Sequence, residues 1–155
     1  MRKFAANYLF SDAGILMKNG IVYADDAGNA IQFIDTKGDL RETELLAFHN
    51  GILMAGFEFV KFNEAEPAPG NQLAEKIFDS VPESGTMTIL NFIELARQIQ
   101  SKFPEMIIPE ILRELVSALK TRGFIRESRA GIFLLSGANL PELKFTSRCR
   151  IRKIF

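Results

Sequence analysis

Few side chains of this chain have the types that do chemistry. Histidine and cysteine, the usual zinc ligands, occur once each, as His49 and Cys149. A lone histidine makes no metal site and a lone cysteine no internal disulfide, so we expect His49 to be an ordinary strand or turn residue and Cys149 a small buried one. Carboxylates are more numerous, and their oxygens suit Mg²⁺ or Mn²⁺ better than zinc. The candidate set for such a site is Asp79 with Glu58, Glu64 or Glu66.

A second candidate site is the row of arginines near the end of the sequence. Arg148, Arg150 and Arg152 alternate with Cys149 and Ile151. In a strand, alternate residues share one face, so the three guanidinium groups would point to the same side. The row would suit an anion or an acidic partner. The alternative is a solvated face on an edge strand that charge protects from aggregation.

The elements that must position these residues begin with strands. Residues 2–10, which are largely apolar after Arg2 and Lys3, predict a strand. Two further apolar runs flank residues 25–29, which are rich in Asp, Gly and Asn, and this pattern predicts a hairpin. Residues 48–59 indicate one or two strands interrupted at Gly51 and Gly56.

Helices are predicted after residue 71, where the apolar period changes from two to about 3.6. Pro104 marks the end of the first helix, and Gly123 the end of the second. Strands return in residues 124–155. The apolar faces of the two helices consist of Ile89, Phe92, Ile93, Ala96, Ile99 and Phe103, and of Ile108, Ile111, Leu112, Leu115 and Leu119.

The order of these pieces resembles the amidohydrolase superfamily. Residues 51–57, with Gly51, Leu53, Gly56 and Phe57, are similar to the glycine pair through which a strand-rich companion domain leads into the first barrel strand. The end of the chain, with two helices before a Gly-x-x-Leu-Leu strand and a closing Arg-x-Arg segment, resembles the deaminase and chlorohydrolase branch.

The resemblance implies a catalytic site that this chain has lost. In the family the first barrel strand ends in a His-x-His pair that binds the metal, and those positions fall on Lys61 and Asn63. An ammonium group cannot replace a neutral imidazole as a metal ligand. Asp79 and Ser80, followed by Ser84, resemble the place of the family's late barrel aspartate, but a single carboxylate has no obvious way to hold zinc. We therefore expect no resident cofactor.

The length of 155 residues decides what the resemblance can imply about the fold. A complete (β/α)8 barrel needs roughly 200 residues or more, so most of the barrel must be missing. We expect an α+β protein with a β-sandwich of the companion type, built from residues 1–60 and 124–155. Residues 71–123 would be a helical remnant of the barrel end, and residues 61–70 a linker.

Function is expected to be non-catalytic, through self-association or binding of a protein partner. Loss of the barrel would uncover apolar surface, which a second copy could cover as a homodimer. The first alternative is a metal-dependent hydrolase acting on C–N bonds, with zinc or another divalent metal in an atypical site. The second is a winged-helix nucleic-acid module over residues 71–135. Its contacts would be Arg113, Lys120, Arg122, Arg126 and Arg129.

The overall charge argues against the nucleic-acid alternative. Nineteen basic and nineteen acidic side chains give a net charge of zero, and Glu110 and Glu114 lie on the proposed recognition helix. No apolar run has the length of a membrane span, and the first residues lack the apolar core of a signal peptide. We therefore expect a cytoplasmic protein without a membrane contact.

Overall fold

The computed structural model of the chain describes residues 1–11, 14–41, 45–59 and 89–155. Strands dominate these residues, and two helices lie between the fifth and sixth strands. The strands are β1 (Arg2–Phe10), β2 (Leu16–Lys18), β3 (Ile21–Ala24), β4 (Ala30–Ile34), β5 (Leu46–Phe59), β6 (Ile125–Ser136) and β7 (Arg150–Lys153). The helices are α1 (Ile89–Lys102) and α2 (Ile108–Thr121).

All of these strands belong to one mixed sheet in the order β4-β3-β1-β5-β6-β7, with β2 beside the second half of β1. β1 and β5 run parallel, and the other pairs are antiparallel. The two ends of the chain therefore meet in one sheet, with β5 between them. The α+β class is confirmed, whereas the sandwich of companion type stays a prediction.

The sheet curls until the β3–β4 hairpin meets β6. The backbone N–H of Gly131 donates to the carbonyl of Gly28 over 3.2 Å, and Asn29 forms a bridge with Ala130. This curl gives the sheet an inner face, which is apolar. Its buried residues are Phe4, Ala6, Leu9, Met17, Val22, Ala24, Ala30, Leu53, Ala55, Ile132 and Leu134.

The two helices cover the opposite face of the sheet beside β5, β6 and β7. The predicted apolar stripes are confirmed: Phe92, Ile99 and Leu112 are buried completely or almost so, and they pack against Met54 and Leu135 of the sheet. Helix α1 ends two residues before Pro104, as predicted. Helix α2 ends before Gly123, whose φ of 81° is the left-handed conformation that glycine adopts readily at a helix end.

The winged-helix prediction is wrong about the wing. A winged helix over residues 71–135 would have its two-stranded wing in residues 124–134, with the two strands turning back on each other as a hairpin. Instead they continue in one direction as β6, and both halves pair with β5. Ile132 and Leu134 lie opposite Ala55 and Leu53 on the inner face, so burial against β5 holds this segment in the sheet.

Candidate functional site

The arginine row lies on β7, the last strand of the sheet. Arg150 and Arg152 are exposed and share one face, while Ile151 between them is buried. Two positions along a strand separate their backbones by about 7 Å. Arg148 is also exposed, but it lies in the turn before the strand and does not extend the row. The predicted alternation is therefore confirmed for two of the three arginines.

Hydrogen bonds to helix α1 fix the start of β7. The guanidinium of Arg97 donates to the carbonyl of Cys149 over 2.9 Å. The side chain of Gln100 donates to the carbonyl of Phe145 over 2.9 Å and accepts from its N–H over 2.7 Å. Cys149 itself is 2% exposed, as predicted, and its sulfur accepts from the N–H of Thr146. The position of the arginines is thus set by the packing of the strand on the helix.

His49 approaches the same end of the sheet from β5. Its ring centroid lies 6.1 Å from that of Phe4, which in turn lies 5.5 Å from the ring of Phe155. The guanidinium of Arg2 stands 4.6 Å above the ring of Phe155. Burial lowers the pKa of His49 below its usual value, and the positive charge of Arg152 lowers that pKa further. His49 is a strand residue, as predicted, and its Nε2 is buried without a hydrogen-bond partner in the described chain.

We call this part of the sheet the basic end and define it by Arg2, His49, Arg150 and Arg152. Its positive charge comes from the three arginines, because the lowered pKa of His49 favours the neutral ring. Among the residues that the structure describes, no carboxylate lies within ion-pair distance of Arg150 or Arg152. Other arginines of the described chain do have such partners, as Arg97 does with Glu94. The basic end therefore carries positive charge that the neighbouring described side chains leave uncompensated.

Sequence reasoning found the β7 arginines and missed Arg2 and His49. Alternation along one strand is a local signal, and it is visible in the sequence. Arg2 and His49 belong to the basic end only because β1 and β5 run parallel, which places Ala6 opposite His49. Phe155 then lies between Phe4 and the guanidinium of Arg2. No local pattern carries that information.

The predicted metal and catalytic positions lie almost entirely outside the described residues. This holds for Lys61, Asn63, Glu64, Glu66 and Asp79. Glu58 is described, and its carboxylate accepts a hydrogen bond from Arg126, so it is engaged in an ion pair. In ranges 1–11, 14–41, 45–59 and 89–155, no three His, Cys, Asp or Glu side chains come together as a metal site would require.

The residues predicted for nucleic-acid contact are dispersed. Arg113 donates to the carbonyl of Gly14 over 3.3 Å, and Lys120 lies 3.7 Å from Glu127. Arg126 contacts Glu58, and Arg129 lies three residues further along β6. These side chains do not form one continuous cationic surface, because two of them are paired with carboxylates.

A scan of the sequence against protein-family models found no match, and neither did a search of the curated proteins. Within the described chain, neither helix has the length and apolar character needed to cross a membrane.

Proposed function

We propose that this protein works by binding, and that an acidic partner contacts Arg150 and Arg152 at the basic end. The observation that carries the proposal is that Arg150 and Arg152 share one exposed face without a described carboxylate within ion-pair distance. Arg152 is also close enough to His49 to lower the pKa of that ring. Guanidinium groups bind carboxylates through two parallel hydrogen bonds and keep their charge at any physiological pH. An acidic protein segment would supply such carboxylates.

The spacing of the two arginines favours an extended partner. Side chains on one face of a strand repeat every second residue, so acidic residues at alternate positions of an extended segment would match Arg150 and Arg152. A second copy of β7 is a poor partner at this edge, because antiparallel pairing would bring arginines together and like charges opposite each other are destabilising.

The proposal includes descent from an amidohydrolase that lost its barrel and its reaction. Two features support the loss of the reaction: the chain has a single histidine, and the positions expected for the family's histidine pair hold Lys61 and Asn63. The meeting of both chain ends in one sheet also fits a companion domain of sandwich type. Under this proposal the protein holds no catalytic metal and hydrolyses no C–N bond.

Metal content tests the loss of the reaction. Elemental mass spectrometry would be performed on untagged protein as purified, and again after chelation and reloading with zinc. We expect less than stoichiometric metal in both samples after dialysis. Stoichiometric metal that resists dialysis would contradict the proposal of a non-catalytic protein and would favour the metal-dependent hydrolase.

Binding of a charged peptide tests the basic end. The probe is a fluorescent peptide of alternating glutamate and valine, and its anisotropy is followed on titration with protein. We expect the pair Arg150→Glu and Arg152→Glu to abolish binding. Arg41→Glu is the matched control, because Arg41 is 85% exposed and forms an ion pair with Asp39 instead of belonging to β7. Equal affinities of the two variants, or equal binding of an alternating lysine peptide, would refute the proposal.

Self-association is a second candidate, favoured by a separate apolar surface. Phe48 of β5 is 45% exposed, and Ile34 of β4 in the same row across the sheet is partly exposed. Ala5 and Ile21, which lie between them in that row, are buried. Leu45 nearby is 82% exposed. A second copy would cover this patch with the same apolar surface, which is the arrangement of a two-fold dimer.

Sedimentation velocity tests the second candidate. We expect the wild-type protein to dimerise with rising concentration and Phe48→Ser to remain monomeric. Ile15→Ser is the control, since Ile15 is 57% exposed and does not belong to the row. A wild-type protein that stays monomeric at high micromolar concentration would exclude the dimer.

A further inference from the structure

The pairing of β5 with β6 is broken by an uneven bulge. Ala55 lies opposite Ile132, and Phe57 lies opposite Glu127. A single residue of β5, Gly56, therefore faces residues 128–131 of β6. An ordinary bulge places two residues against one, so this one displaces much more backbone.

The displaced residues are held in a defined position. The N–H of Ala130 donates to the side-chain oxygen of Ser128 over 3.0 Å. The N–H of Gly131 donates to the carbonyl of Gly28, and Ala130 forms its bridge with Asn29. The bulge has therefore exchanged its pairing with β5 for contacts with the β3–β4 hairpin. A gap remains beside Gly56, bordered by β4 and the displaced residues of β6.

This gap is a pocket with a volume of about 580 Å³. We call it the bulge pocket. Its volume lies in the range of small-molecule sites. Its lining combines side chains of β4 with the bulge: Ala30, Ile31, Phe33, Gly56, Glu127, Ser128 and Arg129.

The charges of the bulge pocket favour a ligand with one negative charge. Glu127 lies 3.7 Å from the ammonium group of Lys120, so its charge is partly compensated. Among the described residues no carboxylate lies within ion-pair distance of Arg129. Arg129 can therefore donate hydrogen bonds to a carboxylate, while Glu127 in the same lining disfavours a doubly charged phosphate.

The remaining walls favour an apolar body. Ile31 is 40% exposed, and Phe33 is only partly buried. Gly56 has no side chain, so a ligand can approach the backbone of β5 directly. We propose that the bulge pocket binds a small monocarboxylate with an apolar or aromatic body, its carboxylate on Arg129 and its body against Ile31 and Phe33. This inference is independent of the proposed contact of an acidic partner with Arg150 and Arg152 on β7.

The test uses phenylacetate as the probe, with phenylacetamide and phenyl phosphate as comparison compounds. Binding is followed by two-dimensional amide NMR of the full chain. We expect phenylacetate to shift the resonances of Gly56 and Ser128 in a saturable manner. The neutral amide and the phosphate should each bind more weakly. Arg129→Gln should weaken the affinity for phenylacetate by about tenfold or more, which is the usual effect of removing a charge-assisted hydrogen bond.

Arg126→Gln is the matched control. Arg126 lies three positions before Arg129 on β6, is 69% exposed and does not line the pocket. We expect this variant to bind phenylacetate as the wild type does, and the Arg150→Glu, Arg152→Glu pair to do the same. The inference is overturned by any of three results: no saturable shift at millimolar phenylacetate, equal binding of phenylacetamide, or equal weakening by Arg126→Gln.

Discussion

Strand β5 departs from regular pairing twice, and the two departures have opposite consequences. At Gly51, where β5 shifts register against β1, the structure is closed: a Cβ built there would lie 2.2 Å from the carbonyl oxygen of Leu135. At Gly56 the structure is open, and the departure forms the bulge pocket. Both glycines have positive φ, 134° and 98°. The same sequence signal thus gives tight packing at one site and a cavity at the other.

The largest expected effect is that of Gly51→Ala. The new methyl group would collide with a backbone oxygen, which cannot rotate away, and alanine would be strained at that φ. We expect a loss of at least about 3 kcal/mol in the free energy of unfolding, from backbone displacement together with strain. Urea denaturation measures it.

Gly131→Ala is the matched control within the open bulge. Gly131 also has a positive φ, 90°, but its nearest neighbours are the side chains of Lys153 at 3.4 Å and Phe133 at 3.5 Å. Only the φ strain applies, and we expect a loss of about 1 kcal/mol. If Gly51→Ala and Gly131→Ala lose similar amounts of stability, close contact with the backbone is not what makes Gly51 more sensitive than the bulge.

Asn7→Ala tests the hydrogen bond that stabilises the register shift at Gly51. The N–H of Gly51 donates to the side-chain oxygen of Asn7 over 2.8 Å. Removing that acceptor leaves the N–H without this partner, and we expect a loss of about 1–2 kcal/mol in the free energy of unfolding. Asn7→Asp keeps an acceptor at the same place, so it should retain most of the stability in urea denaturation. If Asn7→Asp loses as much as Asn7→Ala, the hydrogen bond is not the cause.

The strands and helices were predictable because their signals are local. The apolar stripe of α1 and the loop at residues 25–29 can be seen within a few turns of chain, and both appear in the structure. The positions of Gly51 and Gly56 as interruptions of β5 were also visible. Each of these features depends on neighbours close in sequence.

What each glycine does was not predictable. The oxygen that makes Gly51 indispensable belongs to Leu135, far along the chain, and it arrives only when β6 pairs with β5. The residues that open the bulge pocket at Gly56 are likewise contributed by β4 and β6. The wing prediction failed for the same reason, since the sequence shows two short strand-like segments in residues 124–134 but not that both pair with β5.

His49 lies two residues before Gly51, and its protonation makes the stability of the folded protein depend on pH. Its pKa in the folded protein lies below the usual value of 6.5 because of burial and the nearby charge of Arg152. As the pH falls below about 6.5, the unfolded chain binds a proton that the folded chain does not, and stability is lost until the folded pKa is reached. Above that range His49 contributes no pH dependence.

Two variants isolate this effect. In urea denaturation at pH 7.5 and pH 5.5, we expect His49→Gln to lose less stability in acid than the wild type does. Arg152→Gln should raise the pKa of His49, which NMR can follow without ambiguity because the chain has a single histidine. An unchanged pKa of His49 in Arg152→Gln would show that the charge of Arg152 does not act on His49.

The smallest effect is expected for Ser128→Ala in the open bulge. The variant removes the acceptor for the N–H of Ala130, but this bond lies in a partly buried place that water can reach. We expect a loss of about 0.5 kcal/mol in the free energy of unfolding and faster hydrogen exchange at Ala130. The bond from Gly131 to Gly28 remains, so the bulge pocket should persist and still bind phenylacetate. A loss as large as that of Asn7→Ala would mean that the bulge is as tightly constrained as Gly51, and the contrast between the two departures would then rest on shape alone.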